Sequence, residues 1–284
     1  MLISEFKLQP GYHYLMEENL NDSAMREQII WKGKFTLWTG GGGYVGYSSD
    51  TKIHAHHAHQ LCFALDEPFR LRSEPSQDWI EYSAAFVASD VPHQFDGRGN
   101  RVVLIYLDPE SEDARRILNT FTGMAIQPLP TQNLSSLLLK LSSDPLMPIS
   151  SIPFFKGMIT VLGGETSVPG TMDQRVIQVI RFLNSFDEEI PTLHSLALKV
   201  SLSPSRLGHL FREQTGLPLR QYRLWLRLQK ALEALTQTHS LTVAAHMASF
   251  ADSAHLSRTF RRMFGIAPSE LKVESNQGRC IPIK

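Results

Sequence analysis

Apolar and polar positions follow two different rhythms along this chain. Up to Asp108 the apolar residues come in short β-branched and aromatic runs broken by Gly, Pro and Asp: Phe35 to Thr39, Gln60 to Leu65, Phe69 to Arg72, Ala84 to Ala88 and Arg101 to Leu107. Runs of this length bounded by turn formers predict strands, here of an antiparallel sandwich or barrel. Asp108-Pro109 ends the last run, and Ser111 to Thr122, Leu134 to Ser142 and Ile152 to Leu162 carry helical spacing. Those helices are expected to flank the β unit, either as a cap on its core or as a dimer face.

Gly163, Gly164, Pro169 and Gly170 crowd breakers into one stretch, and a domain boundary is expected there. From Asp173 onward the period is helical almost throughout, opening with Ile177, Ile180 and Leu183 before Pro191 interrupts it. The fold class is therefore α+β. An antiparallel β domain with flanking helices is expected over residues 1–165, an all-α domain over 173–273 and a short tail over 274–284.

The helical part contains one unit twice. Shifted on itself by 49 positions, it pairs Leu207 with Leu256, Phe211 with Phe260, Gly216 with Gly265 and Tyr222 with Leu271. In the first copy Leu193, Leu196 and Ala197 form one helical face, a turn runs through Ser201 and Leu202, and Ser203-Pro204 supplies an N-cap and a proline at the first helical position. The next helix is expected to bury Leu207, Leu210 and Phe211 and to expose Ser205, Gly208, His209 and Arg212. In the second copy Ala244, Ala245 and Met247 lie on the first helix, Phe250 fills the turn and Asp252 caps. Leu256, Phe260 and Phe264 then form a buried stripe opposite Ser253, His255, Arg258 and Arg262.

Between the copies, Gln221, Trp225, Leu228, Leu232 and Leu235 line one side of a long helix, and Arg220, Arg223, Arg227 and Lys230 another. Two short helices on a rigid rod, each showing small, polar and basic groups, suit two successive major-groove segments. There side chains reach base edges while flanking Arg and Lys neutralise phosphate. Arg258, His255 and His209 are the expected base contacts, with Ser205, Arg212, Ser253 and Arg262 beside them; Arg261 and Arg262 also suit phosphate.

Charge agrees with a division of tasks. The whole chain carries 28 basic and 28 acidic side chains, yet residues 172–284 hold 15 Lys and Arg against 9 Asp and Glu, and residues 1–171 hold 13 against 19. A basic module suits a polyanion, although clustered charge is also a common solvated face. No run of about eighteen apolar residues is present, and Met1 to Pro10 lacks the basic start and apolar core of a signal peptide, so a soluble cytoplasmic protein without a membrane span is expected. Cys62 and Cys280 stand far apart and give neither a disulfide framework nor a CxxC metal pair.

The run Ala245 to Pro268, AHMASFADSAHLSRTFRRMFGIAP, resembles the C-terminal signature of the AraC/XylS transcription regulators. Ala197 to Gly216, ALKVSLSPSRLGHLFREQTG, is similar to the first helix-turn-helix of that family, so the resemblance covers residues 173–273. It implies a sequence-specific regulator on double-stranded promoter DNA, modulated by a small-molecule effector at the N-terminal domain. A homodimer is implied as well, with RNA polymerase as a further partner. Ser249 departs from the family by standing where Gly precedes the turn's aromatic, which puts a Cβ on a left-handed backbone. Gly208 stands where members carry a long polar side chain, which leaves more of the contact to His209.

The segment Lys52 to Leu61, KIHAHHAHQL, holds His54, His56, His57 and His59, and His93 follows Pro92. Strand alternation would set His54, His56 and Gln60 on one face, with His93 joining them across a barrel, and His57 and His59 on the other. The spacing resembles the cupin pattern of two histidines, an acid and a later histidine, with Gln60 in place of the acid; Asp90 and Gly97 also depart from it. A cupin-like pocket of His54, His56, Gln60 and His93 that hydrogen-bonds an organic effector is the expectation. Losing the carboxylate removes a charged ligand, so no cofactor is required and a divalent metal at these residues is the lesser expectation. The rival functions are a metal-dependent cupin enzyme, for which no GxSxG, HExxH or phosphate loop speaks, and a DNA-binding scaffold without ligand.

Overall fold

A computed structural model describes residues 31–118, 121, 125–135, 138, 151–163, 172–185, 191–274 and 280–282. The first half is built from β1 (Trp31–Trp38), β2 (Gly41–Tyr47), β3 (His59–Ala64), β4 (Phe69–Arg72), β5 (Ile80–Tyr82), β6 (Ala84–Val87), β7 (Gln94–Asp96) and β8 (Arg101–Leu107). Helix α1 (Glu112–Leu118), strand β9 (Ile126–Pro128) and helix α2 (Ile152–Gly163) follow. The second half holds α3 (Gln174–Asn184), α4 (Leu193–Lys199), α5 (Pro204–Thr215), α6 (Leu219–Thr238), α7 (Leu241–Met247) and α8 (Ser253–Phe264), then β10 (Leu271–Glu274) and β11 (Cys280–Pro282). No helix among the described residues is long and apolar enough to cross a membrane. The breaker stretch 164–170 and most of the helix expected over Leu134 to Ser142 lie outside the described residues.

Every pairing among β1 to β9 is antiparallel, as the run lengths predict. Its large sheet runs β11-β10-β1-β2-β8-β3-β6-β9, and a small sheet runs β5-β4-β7. Strand β2 has no counterpart in the sequence reading, because Gly41 to Gly43 and Gly46 read as breakers. Here the glycines make room for close neighbours: a Cβ at Gly43 would collide with the Phe155 ring of α2, and one at Gly33 with the facing backbone of β2.

Both faces of the large sheet are buried at its central strands β8, β3 and β6, and alternation assigns each residue to one of them. Leu61, Phe63, Val103 and Ile105 face α1 and α2 and pack with Ile117, Phe155, Met158 and Ile159. Cys62, Val102 and Leu104 face the other way, toward Phe69, Leu71 and Phe95 of the small sheet. That inner core also contains Trp225, Leu228 and Leu232 of α6, Phe260 of α8, and Ile266. The sandwich is thus closed partly by helices from the far half of the chain.

Helix α6 is shared between two cores. Its first turn contributes Leu219 and Tyr222 to the core of α3, α4 and α5, with Val176, Leu196, Leu207 and Phe211. From Trp225 onward its apolar stripe belongs to the β domain's inner core and to α7 and α8. The first helix-turn-helix therefore stands on the front of α6, while the second is packed onto the sheet.

Polar contacts fix that packing. The Lys52 amide donates to the Gly265 carbonyl at 2.8 Å, and β10 joins β1 in parallel, with Trp31 opposite Leu271. Residues 274–284, set apart as a tail in the sequence reading, therefore include a strand of the large sheet, β11, and the last residue of β10. Trp225 Nε1 donates to the buried Asp108 Oδ1 at 2.8 Å, and the Gln229 amide donates to the same carboxylate. Burial, with the neighbouring Glu110 charge, pushes the Asp108 carboxyl up to about 6, against the opposing pull of the Trp225 and Gln229 hydrogen bonds and of His57.

Asp108→Ala would leave the buried Trp225 Nε1 without its acceptor, and thermal or urea unfolding should show a loss of about 1–3 kcal/mol. A raised folded-state pKa means that ionisation opposes folding. The stability of the wild type should accordingly fall relative to Asp108→Asn as pH rises from about 4 through about 6, which unfolding midpoints of both proteins at pH 4.5 and pH 7 would show. Gly265 and Gly216 cap α8 and α5 at φ 72° and 78°, so Ala at either should cost about 1 kcal/mol. A Cβ at Gly265 would also meet His54 Nδ1 at 2.7 Å, whereas one at Gly216 meets nothing within 4 Å. Urea titrations should therefore show Gly265→Ala as the more damaging change; equal losses would mean that the β domain yields freely there.

Candidate DNA-reading surface and sensing site

Each reader is built by the same local devices. In the first, Ser203 accepts from the Arg206 amide at 3.2 Å and Pro204 opens α5; in the second, Asp252 Oδ1 accepts from the His255 amide at 2.6 Å at the start of α8. Both helices end in a left-handed glycine. The turns differ by one residue, since Val200 to Ser203 joins the first pair of helices and Ala248 to Asp252 the second. Ser201 and Ser249 both sit at positive φ, 54° and 57°, so the left-handed position expected at Ser249 recurs in the first unit.

On α5, Leu207, Leu210 and Phe211 are buried while Ser205, His209 and Arg212 are exposed, and Gly208 opens on free space. On α8, Leu256 and Phe260 are buried and Arg258, Arg261 and Arg262 are exposed. Ser253 and His255 are half-buried, and the His255 ring stands edge-on to Phe250 with centroids 5.2 Å apart. Arg258 is thus the most open of the expected base readers on α8. His255 and Arg262 line a groove of about 1040 Å³, together with Arg220 and Arg227 of α6, and opposite them stand His57 and Asp90 of the β domain. One edge of the second helix-turn-helix consequently faces the β domain of the same chain.

The four residues expected to form a pocket do converge. His54, His56 and His93 each bring a ring nitrogen to within 4.8 Å of the others, and Gln60 Oε1 lies 3.0 Å from His56 Nε2 and 3.1 Å from His93 Nε2. The route differs from simple strand alternation, because β3 begins only at His59. An isolated bridge between His54 and His93 brings those two rings to 4.2 Å instead. Burial, then the neighbouring His56, pushes His54 down to about 3; burial also lowers His56 and, with the other two rings, His93. All three are neutral at neutral pH.

His57 and His59 lie outside this cluster. Burial alone would lower His57, but hydrogen bonds to Asp90 and Glu110 raise it to about 9, and its ring stands edge-on to Tyr222 and Trp225. Beside the cluster is an apolar cavity of about 30 Å³ lined by Phe35, Tyr44, Gln60 and Tyr106 and, from the helical half, by Phe260 and Phe264. The sequence reading placed Phe264 only in a helical stripe, where nothing distinguishes it from a residue packed within its own domain.

A family model described as a helix-turn-helix domain matches residues 196–273. The arabinose operon regulatory protein of Escherichia coli K12 is 32% identical over 108 residues, which is 36% of this chain and 35% of that protein. The transcriptional activator RhaS of Pectobacterium carotovorum is 34% identical over 110 residues, 38% of this chain and 39% of that one. The chain therefore spans little more than a third of the length of these relatives. In fold it is similar to the crystal structure of ToxT from Vibrio cholerae O395, with a TM-score of 0.52 and 13% identity over 82% of this chain and 97% of that one. The duplicated unit and the family match agree: residues 196–273 form a helix-turn-helix domain, and part of the chain is similar to these transcription regulators.

Proposed function

We propose that the chain is a sequence-specific transcription regulator that reads promoter DNA with α5 and α8 and adjusts its grip to a small molecule held between the β domain and the second helix-turn-helix. The observation that carries this reading is the pairing itself. Two capped helices, each with a buried apolar stripe and an exposed polar and basic face, are joined by one continuous helix of 20 residues. Such a rod suits two readers in successive major-groove segments of one duplex face.

The sensing half is supported by the composition of the cavity wall. At about 30 Å³ it has room for about one water, so a larger effector has to displace lining side chains, among which are Phe260 and Phe264 of α8. A ligand shifts an equilibrium only through different affinities for its two states, and this wall supplies the difference. ToxT has been crystallised with an unsaturated fatty acid bound, which supports an effector with an apolar body. We further propose a cytoplasmic homodimer, with RNA polymerase as a partner at the promoter and with no catalytic role.

Selection of bound duplexes from a random pool by the purified chain, at two salt concentrations, should yield a consensus in two segments about ten base pairs apart. No enrichment over random DNA would refute the reading. Arg258→Ala should lower affinity for the selected duplex by about 1–3 kcal/mol and relax preference at one base, as for a bidentate guanine contact. A loss that is uniform across sequences would reassign Arg258 to phosphate.

A further inference from the structure

Two small cavities lie along the seam between the inner face of the large sheet and α6, and Phe35, Tyr106, Leu232 and Phe264 line both. The first is the apolar cavity beside the histidine cluster. The second, also of about 30 Å³, ends on a carboxylate. Asp108 is the only charged residue among the described residues that line it, and Phe35, Tyr106, Trp225 and Phe264 bring four aromatic rings to its wall. The Phe264 ring stands 6.2 Å from that of Trp225 and 6.0 Å from that of Tyr106, centroid to centroid. On the sheet side, Gly41 to Gly43 present backbone without side chains.

The charge of Asp108 is not balanced by its surroundings. The side chains that donate to its carboxylate are Trp225 and Gln229, both neutral, and no Lys or Arg lines either cavity. His57, raised to about 9 and therefore protonated, is bonded to Glu110 and Asp90. Burial pushes the Asp108 carboxyl up to about 6, which still leaves it ionised at neutral pH. A buried charge is costly unless a partner meets it. Aromatic rings beside a carboxylate suit an organic cation, because their π faces attract positive charge. They cannot supply the six or more oxygens that calcium takes. A ligand with a carboxylate head would instead set a second anion against Asp108, where the low dielectric magnifies repulsion.

From this geometry we infer that the seam binds an organic cation, an alkylammonium ion with an apolar body. Its charged head takes the second cavity, against Asp108 and the rings of Trp225 and Phe264, and its body takes the first. Neither cavity alone has room for more than about one water, so such a molecule joins them by moving the side chains that line both. Phe264 is one of these, and it is the last residue of α8. Occupancy of the joined cavity therefore acts on the final turn of the second reader. That effect on DNA rests on the regulator reading above; the binding of the cation does not.

The test takes the full chain and compares ligands of one chain length with different heads: hexyltrimethylammonium, hexanol and hexanoate, each titrated by calorimetry at neutral pH and constant ionic strength. The cation should bind once per chain, about tenfold more tightly than hexanol, with hexanoate weakest. Hexanol or hexanoate binding as tightly as the cation would overturn the inference, and so would a cation that shows no saturable binding at millimolar concentration. In Asp108→Asn, which keeps an acceptor for Trp225, the preference for the cation over hexanol should vanish; a folded variant that retains it would overturn the site. Phe35→Leu, which removes a ring and keeps apolar bulk, should weaken the cation about threefold and leave hexanol unchanged; equal losses for both would reduce Phe35 to packing and overturn its part in the site. Should neither variant fold, the comparison of heads in the wild type decides the matter. Fluorescence anisotropy on the selected duplex should show the cation changing DNA affinity about tenfold; unchanged affinity would overturn the link to α8. A pool selection without consensus would defeat the regulator reading alone and leave the calorimetry to stand by itself.

Discussion

The inner face of the large sheet and the rear half of α6 bury one another, and the arrangement of both functional regions depends on that contact. Trp31, Tyr44, Cys62 and Leu104 meet Trp225, Leu232, Phe260 and Ile266 in one continuous core. Full burial of an aliphatic or aromatic side chain contributes roughly 1.5–3 kcal/mol. A handful of such side chains holds the docked arrangement firmly.

The contact makes the two readers unequal. The first shares its core with α3, α4 and the opening turn of α6, and meets the β domain at Tyr222. The second is built into the wall of the β domain through Phe264, Gly265 and Ile266. A change inside the β domain therefore reaches α8 by direct packing, while it reaches α5 through Tyr222, whose ring is edge-on to both His57 and Phe211.

Apolar burial alone would leave the docking angle loose, and buried polar groups narrow it. Asp108 must accept from Trp225 and Gln229, and His57 must stay between Asp90 and Glu110, because each would be costly to leave unpaired in the interior. The Lys52 to Gly265 hydrogen bond and the parallel pairing of β1 with β10 add backbone constraints at the same seam. Together these contacts select one registration of the two halves from the many that apolar packing would tolerate.

The duplicated helix-turn-helix was legible from the chain because its determinants are local. Caps at Ser203 and Asp252, glycines at 216 and 265 and stripes at helical spacing act within one or two turns, and the structure has all of them. Histidine types and spacing likewise announced a cluster, but the bridge from His54 to His93 that assembles it spans the β domain, and alternation along one strand could not supply it. Strand β2 was hidden because the glycines that let Phe155 and β1 approach also read as breaks. The sequence by itself determined which faces of each helix and strand are apolar and what groups stand opposite them. Tertiary structure alone decided that the stripe of α6 and α8 covers the sheet and that Leu271 returns beside Trp31, because periodicity reports that a face is buried and carries no information about what buries it.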